Sequence, residues 1–270
     1  MPSLDNSASC RVTTYSPLAV AAPQRVAAWI ASAPDGPVAV LHRGPDLVHL
    51  DAAGRAVGVA ARTAPGLPHA LRTNLVTLPG RMSSQGRPTA YVDSGILYLG
   101  GRALVARRLV DVRAPRLDAV RDLKASPVAA MGTPRPRGAG LVPLPERIDA
   151  DVVPDLVGRG EGLTPLGDDV LCGWLAAQRS LGVATPEVDE AVRRALPRTT
   201  TLSATLLECA LAGEAADLVV GYLRARNASA GVRSATAARL ALTALGHSSG
   251  EGLAHGVDLA LAELTTEVAA

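Results

Sequence analysis

Residues 158–169, GRGEGLTPLGDD, run without a break into residues 170–181, VLCGWLAAQRSL. The second stretch sets Val170, Leu171, Trp174, Leu175 and Leu181 at helical spacing, and Gly182 is a natural stop. A glycine-rich loop feeding an apolar helix is the pattern that the rest of the C-terminal half repeats. Helices are expected over Glu187–Leu196, Leu202–Ala212, Ala216–Arg226, Ser234–Leu245 and Gly250–Leu264. Upstream the pattern changes to short apolar runs between turns. Leu47–Leu50 and Ala56–Ala60 flank residues 51–54, DAAG, as a hairpin. Residues 95–99 and 102–106 flank Gly100 and Gly101 as a second hairpin, and Leu109–Val112 continue it beyond a bulge or turn. Pro37–His42 reads as a buried strand, Pro17–Ala33 as a short helix and Leu117–Ala130 as another helix. The fold class is therefore α+β. A sheet-rich N-terminal domain is expected over residues 1–131 and a helical domain over 151–270. Residues 132–150, rich in Pro, Gly and Arg, form a linker or crossover.

Composition narrows the function. Hydrophobic residues make up 48% of the 270, enough for a substantial core, but aromatics are 2% and phenylalanine is absent. The core must then be Ala, Val and Leu. Net charge is +2, the arginines are scattered and Lys124 is the only lysine. A nucleic-acid binder would show a basic stripe interleaved with aromatics, so none is expected. Cys10, Cys172 and Cys209 lack metal-type spacing, and the last two fall in apolar helical patterns as buried thiols. With no span-length apolar run and no signal-peptide pattern, a cytoplasmic location and no membrane partner are expected.

Three loops carry the chemistry. The helix after residues 158–169 presents unpaired N–H groups and a positive dipole end, which favour an anion. Thr164 and Pro165 read as an N-cap and first helical residue, with Asp168 and Asp169 in the first turn. A well-made helix start alone would explain those four residues. The density of Gly160, Gly162 and Gly167 favours a backbone cradle around a ligand. Residues 246–252, GHSSGEG, form a second such loop, where Ser248 and Glu251 have capping-box spacing. There Ser248, Ser249 and the Gly250 amide can hold an oxyanion, with His247 as donor or acid. His255 beyond it is a packing or surface residue. Residues 199–203, TTTLS, read as a cap and its approach at a third helix start, and their hydroxyls can also face the same pocket. No Walker loop, HExxH or GxSxG elbow is present. Arg135 and Arg137 fit a solvated linker or an arm over an anionic ligand.

GEGLTPLGDD, TTLSATLLECALAGE and LGHSSGEGLAHG, in this order, resemble three segments of the bacterial AllH-type family of oxamate carbamoyltransferase subunits. The likeness covers about residues 155–262. It implies carbamoyl transfer in anaerobic purine or allantoin catabolism: oxalurate is cleaved by phosphate to oxamate and carbamoyl phosphate by three different subunits. An acyl-CoA-synthetase-like chain is one implied partner, and a homo-oligomer is left open. Three positions depart from the family pattern: Leu166 replaces a serine, Val170 an aromatic and Gly252 an acid. The combined expectation is carbamoyl phosphate held by the backbone of Gly162, Leu163, Thr164 and Gly167 and of Ser248–Gly250. Thr164, Thr200 and Ser203 would add hydroxyls, Asp168 or Asp169 would orient the amide, and His247 would move a proton. Two other readings stay open. One is a non-catalytic ligand-binding or docking subunit. The other is a Mg²⁺ site on Asp168 and Asp169 for hydrolysis or phosphoryl transfer.

Overall fold

The computed structural model describes residues 16–79, 89–117, 144–227 and 231–267. Cys10, Lys124, Arg135, Arg137 and all but the first residue of the expected Leu117–Ala130 helix lie outside them. The strands are β1 (Leu18–Pro23), β2 (Gly36–Pro37), β3 (Ala39–Arg43), β4 (Leu47–Ala52), β5 (Arg55–Ala60), β6 (Ala70–Arg72), β7 (Ala90–Asp93), β8 (Ile96–Leu99) and β9 (Arg102–Val110). They form one sheet in the order β2-β7-β8-β9-β1-β6-β5-β4-β3. Pairs β1/β9 and β5/β6 are parallel and the others antiparallel. The helices α2 (Val153–Leu156), α3 (Leu166–Leu181), α4 (Pro186–Ala195), α5 (Thr201–Leu211), α6 (Asp217–Arg226), α7 (Gly231–Thr243) and α8 (Ser249–Glu267) follow, so the chain is α+β.

Both expected hairpins form, for a local reason. Ala53 and Gly54 have φ of 55° and 81°, and Gly100 and Gly101 have 57° and 79°. Two left-handed residues in a row give the turn whose twist matches paired strands. In β9, Arg107 is the extra residue where the register against β1 shifts, so Leu109 and Val110 continue the strand past a bulge.

Two expectations fail here. Residues 17–33 are not one helix. Leu18, Val20 and Ala22 alternate inward and pair with β9, and only after Pro23 does α1 (Gln24–Ser32) begin. Small alanines between the apolar residues fit either period, and the parallel partner decides. Pro37–His42 is not a buried strand. Its β3 part is the outer edge of the sheet, with Val40 40% exposed. An apolar run at an edge has only one neighbour to bury it.

Val26 and Ile30 of α1 pack with Leu50, Val57, Leu71, Leu97 and Leu99 in a core of aliphatic side chains. The second core centres on α3, almost all of which is buried. Its closest partner is α8, and glycine permits that closeness. A Cβ on Gly173 would overlap the Leu253 carbonyl oxygen, and one on Gly256 would overlap that of Val170. Behind this pair, Asp258 of α8 accepts hydrogen bonds from Tyr222 Oη at 2.6 Å and Arg226 at 3.0 Å, tying α6 to α8. Cys172 and Cys209 are buried free thiols.

The two halves are joined by direct bonds. The Ala56 amide donates to Thr205 Oγ1 at 2.9 Å, and Arg25 bonds Glu214 at 2.8 Å. The chain beyond β9 adds two backbone bonds to the α5–α6 link, Ala114 N to Gly213 O and Ala215 N to Val112 O. This apposition leaves a cavity between sheet and helices.

Candidate functional site

The three loops meet at the N-terminus of α3. Thr199 Oγ1 donates to Asp168 Oδ2 and the Gly158 amide to Asp168 Oδ1, so one carboxylate ties two loops. Gly158 has φ +76°, and a Cβ there would press on Arg198 O at 2.5 Å. Within the threonine cluster, Thr200 caps α5 by accepting from the Ser203 amide at 3.1 Å, so the helix starts at Thr201, one residue earlier than expected, and Thr200 also donates to Leu163 O at 2.6 Å. Thr164 Oγ1 and Ser249 Oγ lie 2.7 Å apart, bringing the first loop onto the start of α8.

Thr164 is therefore not the cap of α3. Pro165 holds that position, with no side-chain cap, and the helix starts at Leu166, one residue later than expected. The hydroxyl is drawn instead to Ser249. Several glycines also have a different role from the expected cradle. The Gly167 amide donates to Arg159 O and the Gly250 amide to Leu245 O, each at about 3 Å, so neither is available to an anion. A Cβ on Gly167 would overlap Leu156 O, and one on Gly250 would overlap Leu242 O. These glycines permit close backbone packing. Gly252, where an acid was expected, leaves room for Asp169, whose Cβ would lie 2.8 Å from an added Cβ. Gly162 is different: φ is +88° and nothing lies near its missing Cβ.

Asp169 is the residue that the loops present. It is 3% exposed, and its Oδ2 is buried without a hydrogen-bond partner. Burial pushes its carboxyl well above the usual carboxylate range, the Ser249 and Thr164 hydroxyls pull it back in part, and the Asp168 charge adds to the rise. Burial also raises Asp168, but hydrogen bonds from Thr199 and Gly158 oppose it. The two adjacent acids thus have separate surroundings. Both Asp168 oxygens are taken by protein donors. Among the described residues no group of three His, Cys, Asp or Glu is placed to hold a metal ion.

Asp169, Leu163, Thr164 and Ser249 line a cavity of about 230 Å³. Most of its wall is aliphatic, including Leu202, Leu206 and Leu253. The sheet half closes it with His49 and His69, which sequence reasoning did not single out. Their rings stack at 5.2 Å, and His69 Nε2 lies 3.1 Å from His49 Nδ1. Burial lowers the pKa of His69 to about 3 and of His49 to about 4, so both are neutral at pH 7. One proton lies between the two rings, and the tautomer of one fixes that of the other. Glu214, bound to Arg25, also reaches the cavity wall. Nothing local marks the histidines in sequence; the sheet topology brings them here.

His247 does not join this group. It is exposed at the loop tip, and the cavity wall is made by Leu245, Gly246 and Ser249 around it. Ser203 is buried beside Asp168, behind the loops. His255 is a buried residue of α8.

Residues 156–261 match the family model for oxamate carbamoyltransferase subunit AllH, the family that the three motifs resemble. The match runs from α2 into α8, so it holds all three loops and Asp169 but none of the sheet. Comparison with curated proteins and comparison with solved structures give no match. No described helix is long and apolar enough to cross a membrane.

Proposed function

We propose that the chain is a subunit of a carbamoyltransferase acting on oxalurate, oxamate or a related small amide, with the cavity receiving the amide end. The family match over the helical half supports the reaction class. The observation that carries the placement is Asp169 Oδ2, a buried acceptor with no partner, on a residue that lines a mostly aliphatic cavity. An amide N–H₂ satisfies such an oxygen, whereas a dianion would find no arginine or lysine among the described residues of the wall to offset its charge. The phosphate of carbamoyl phosphate therefore lies outside the cavity, beyond its rim at Gly162, Leu163, Ser248 and Ser249.

In the cleavage direction a phosphate oxygen attacks the carbamoyl carbon of oxalurate. The C–N bond breaks, and the leaving nitrogen takes a proton to give oxamate, with carbamoyl phosphate as the other product. A carboxyl whose pKa is raised by burial suits that proton transfer, in either direction. Asp169 fills this role in our reading. Asp168, Thr199, Thr200 and Ser203 position the loops, and His247 has no part in it. Because the family is described as a subunit, turnover is expected only with partner chains present, one of which completes the phosphate site.

The test is phosphorolysis of oxalurate by the reconstituted complex. Replacing Asp169 by Asn should lower kcat by about 10²–10⁴, the usual contribution of a positioned acid–base group. The isolated chain should still bind oxamate, and lose that binding with Asp169→Asn. Unchanged turnover in the variant complex would remove Asp169 from the reaction.

A further inference from the structure

Leu67 and Ala215 also border a second concavity. This cleft measures about 860 Å³, within the range of small-molecule sites. Its chemistry is the opposite of the cavity's. Five arginines line it, Arg62, Arg72, Arg108, Arg113 and Arg224, against two carboxylates, Asp111 and Asp217. The carboxylates are used up: Asp111 holds Arg113 through two bonds of 3.0 Å, and Asp217 faces Arg72 at 3.5 Å while accepting from the Gly66 amide. Arg62, Arg108 and Arg224 have no carboxylate partner among the described residues. They come from three separate elements: the segment after β5, strand β9 and helix α6. Elsewhere the arginines that reach across the fold are paired, as in Arg25–Glu214, Arg179–Asp189 and Arg226–Asp258.

Three uncompensated guanidinium groups around one concavity repel each other, and the concave shape concentrates their field. We propose that this cleft binds a phosphorylated small molecule through a diphosphate group. Three like charges match a diphosphate better than a single phosphate, and each guanidinium fork fits two phosphate oxygens. The floor is kept open by small residues, Ala19, Ala21 and Ala70. Among the described residues no aromatic side chain lines the cleft for base stacking, which favours a small ligand over single-stranded nucleic acid. The site does not depend on the carbamoyl-transfer reading.

The experiment is calorimetric titration of inorganic pyrophosphate into the full chain at low ionic strength, with orthophosphate alongside. The expected result is saturable binding of one pyrophosphate per chain, tighter than orthophosphate. Each of Arg62→Gln, Arg108→Gln and Arg224→Gln should weaken it about tenfold, the scale of one charge-assisted hydrogen bond. The triple variant should not bind. These side chains are solvent-exposed, and unchanged thermal unfolding of each variant establishes that folding is intact. Arg55→Gln, outside the cleft, and Asp169→Asn should leave binding as it is. The proposal is overturned if the wild-type chain does not bind pyrophosphate, if the triple variant binds it equally well, or if Arg55→Gln weakens it as much as the cleft variants do. Loss of turnover in Asp169→Asn with pyrophosphate binding intact would separate this site from the cavity.

Discussion

The two sides of the first turn of α3 differ sharply although their acids are neighbours in sequence. On one side, Asp168 is surrounded by donors: the Gly158 amide and the Thr199 hydroxyl occupy its oxygens and lock two loops. On the other, Asp169 faces an aliphatic cavity, with one oxygen left unsatisfied. A hundred-degree rotation along a helix is enough to separate a carboxylate with both oxygens bonded from one with an unpartnered oxygen. Paired acids in a sequence are therefore not evidence of a paired site.

The comparison rests on the closeness of α3 and α8, which a single methyl group can break. Gly256→Ala would drive a Cβ into the Val170 carbonyl, backbone against backbone, where no side chain can yield. The expected loss is at least about 3 kcal/mol, at the upper end for overpacking. Chemical denaturation should show the midpoint shifted far down or the fold lost, and both aspartate environments lost with it. A variant of near-normal stability would mean that the helices can separate cheaply.

Acid should distinguish the sides next. His49 and His69 have folded-state pKa values of about 4 and 3, below the ordinary 6.5. The unfolded chain binds more protons in that window, so stability is complete above about 6.5 and falls as pH drops toward 4 and 3. One pKa unit is about 1.4 kcal/mol, so even part of these shifts is a large effect. Melting temperatures between pH 7 and 4 should fall steeply for the wild type and less for His69→Gln. Equal slopes would show that the pair is not the source.

Much of this site was legible because its signals are local. The threonine cluster read as a cap does cap α5, through Thr200, and hydrogen bonds tie the three loops together. The glycines were misread for a physical reason. A glycine needed for a ligand's approach and one needed for a neighbouring backbone look the same in sequence. Gly167 and Gly250 belong to the second kind, and only their packing partners reveal it. His49 and His69 stand far from the motifs along the chain and were left unremarked, since no spacing rule connects a strand of the sheet to a helix start. The edge position of β3 was hidden likewise, because strand order is set by long-range pairing.

Asp168→Asn tests the donor-rich side directly. An amide in place of the carboxylate sets an N–H₂ either against the Gly158 amide, which cannot accept, or against the Thr199 hydroxyl, which can accept only by turning its own O–H away from its present acceptor. Leaving one buried donor unmatched should cost about 1–3 kcal/mol at neutral pH. Turnover should fall too, through displaced loops, with KM rising more than kcat drops. A variant as stable as wild type would mean that water replaces the lost acceptor.

Asp169→Asn should have the smallest effect on stability and the opposite sign. The folded-state pKa of Asp169 is raised, so the folded chain holds the proton to higher pH than the unfolded chain does. Wild-type stability is then greatest below the usual carboxylate pKa and declines as pH rises through the folded value. Asparagine carries no charge, so the variant lacks this decline, and its advantage over wild type should grow with pH. Removing a group that strains the fold while abolishing its chemistry is the expected behaviour of a residue kept for function. Parallel melting curves for wild type and variant, with a constant gap across pH, would instead place Asp169 on the same footing as Asp168.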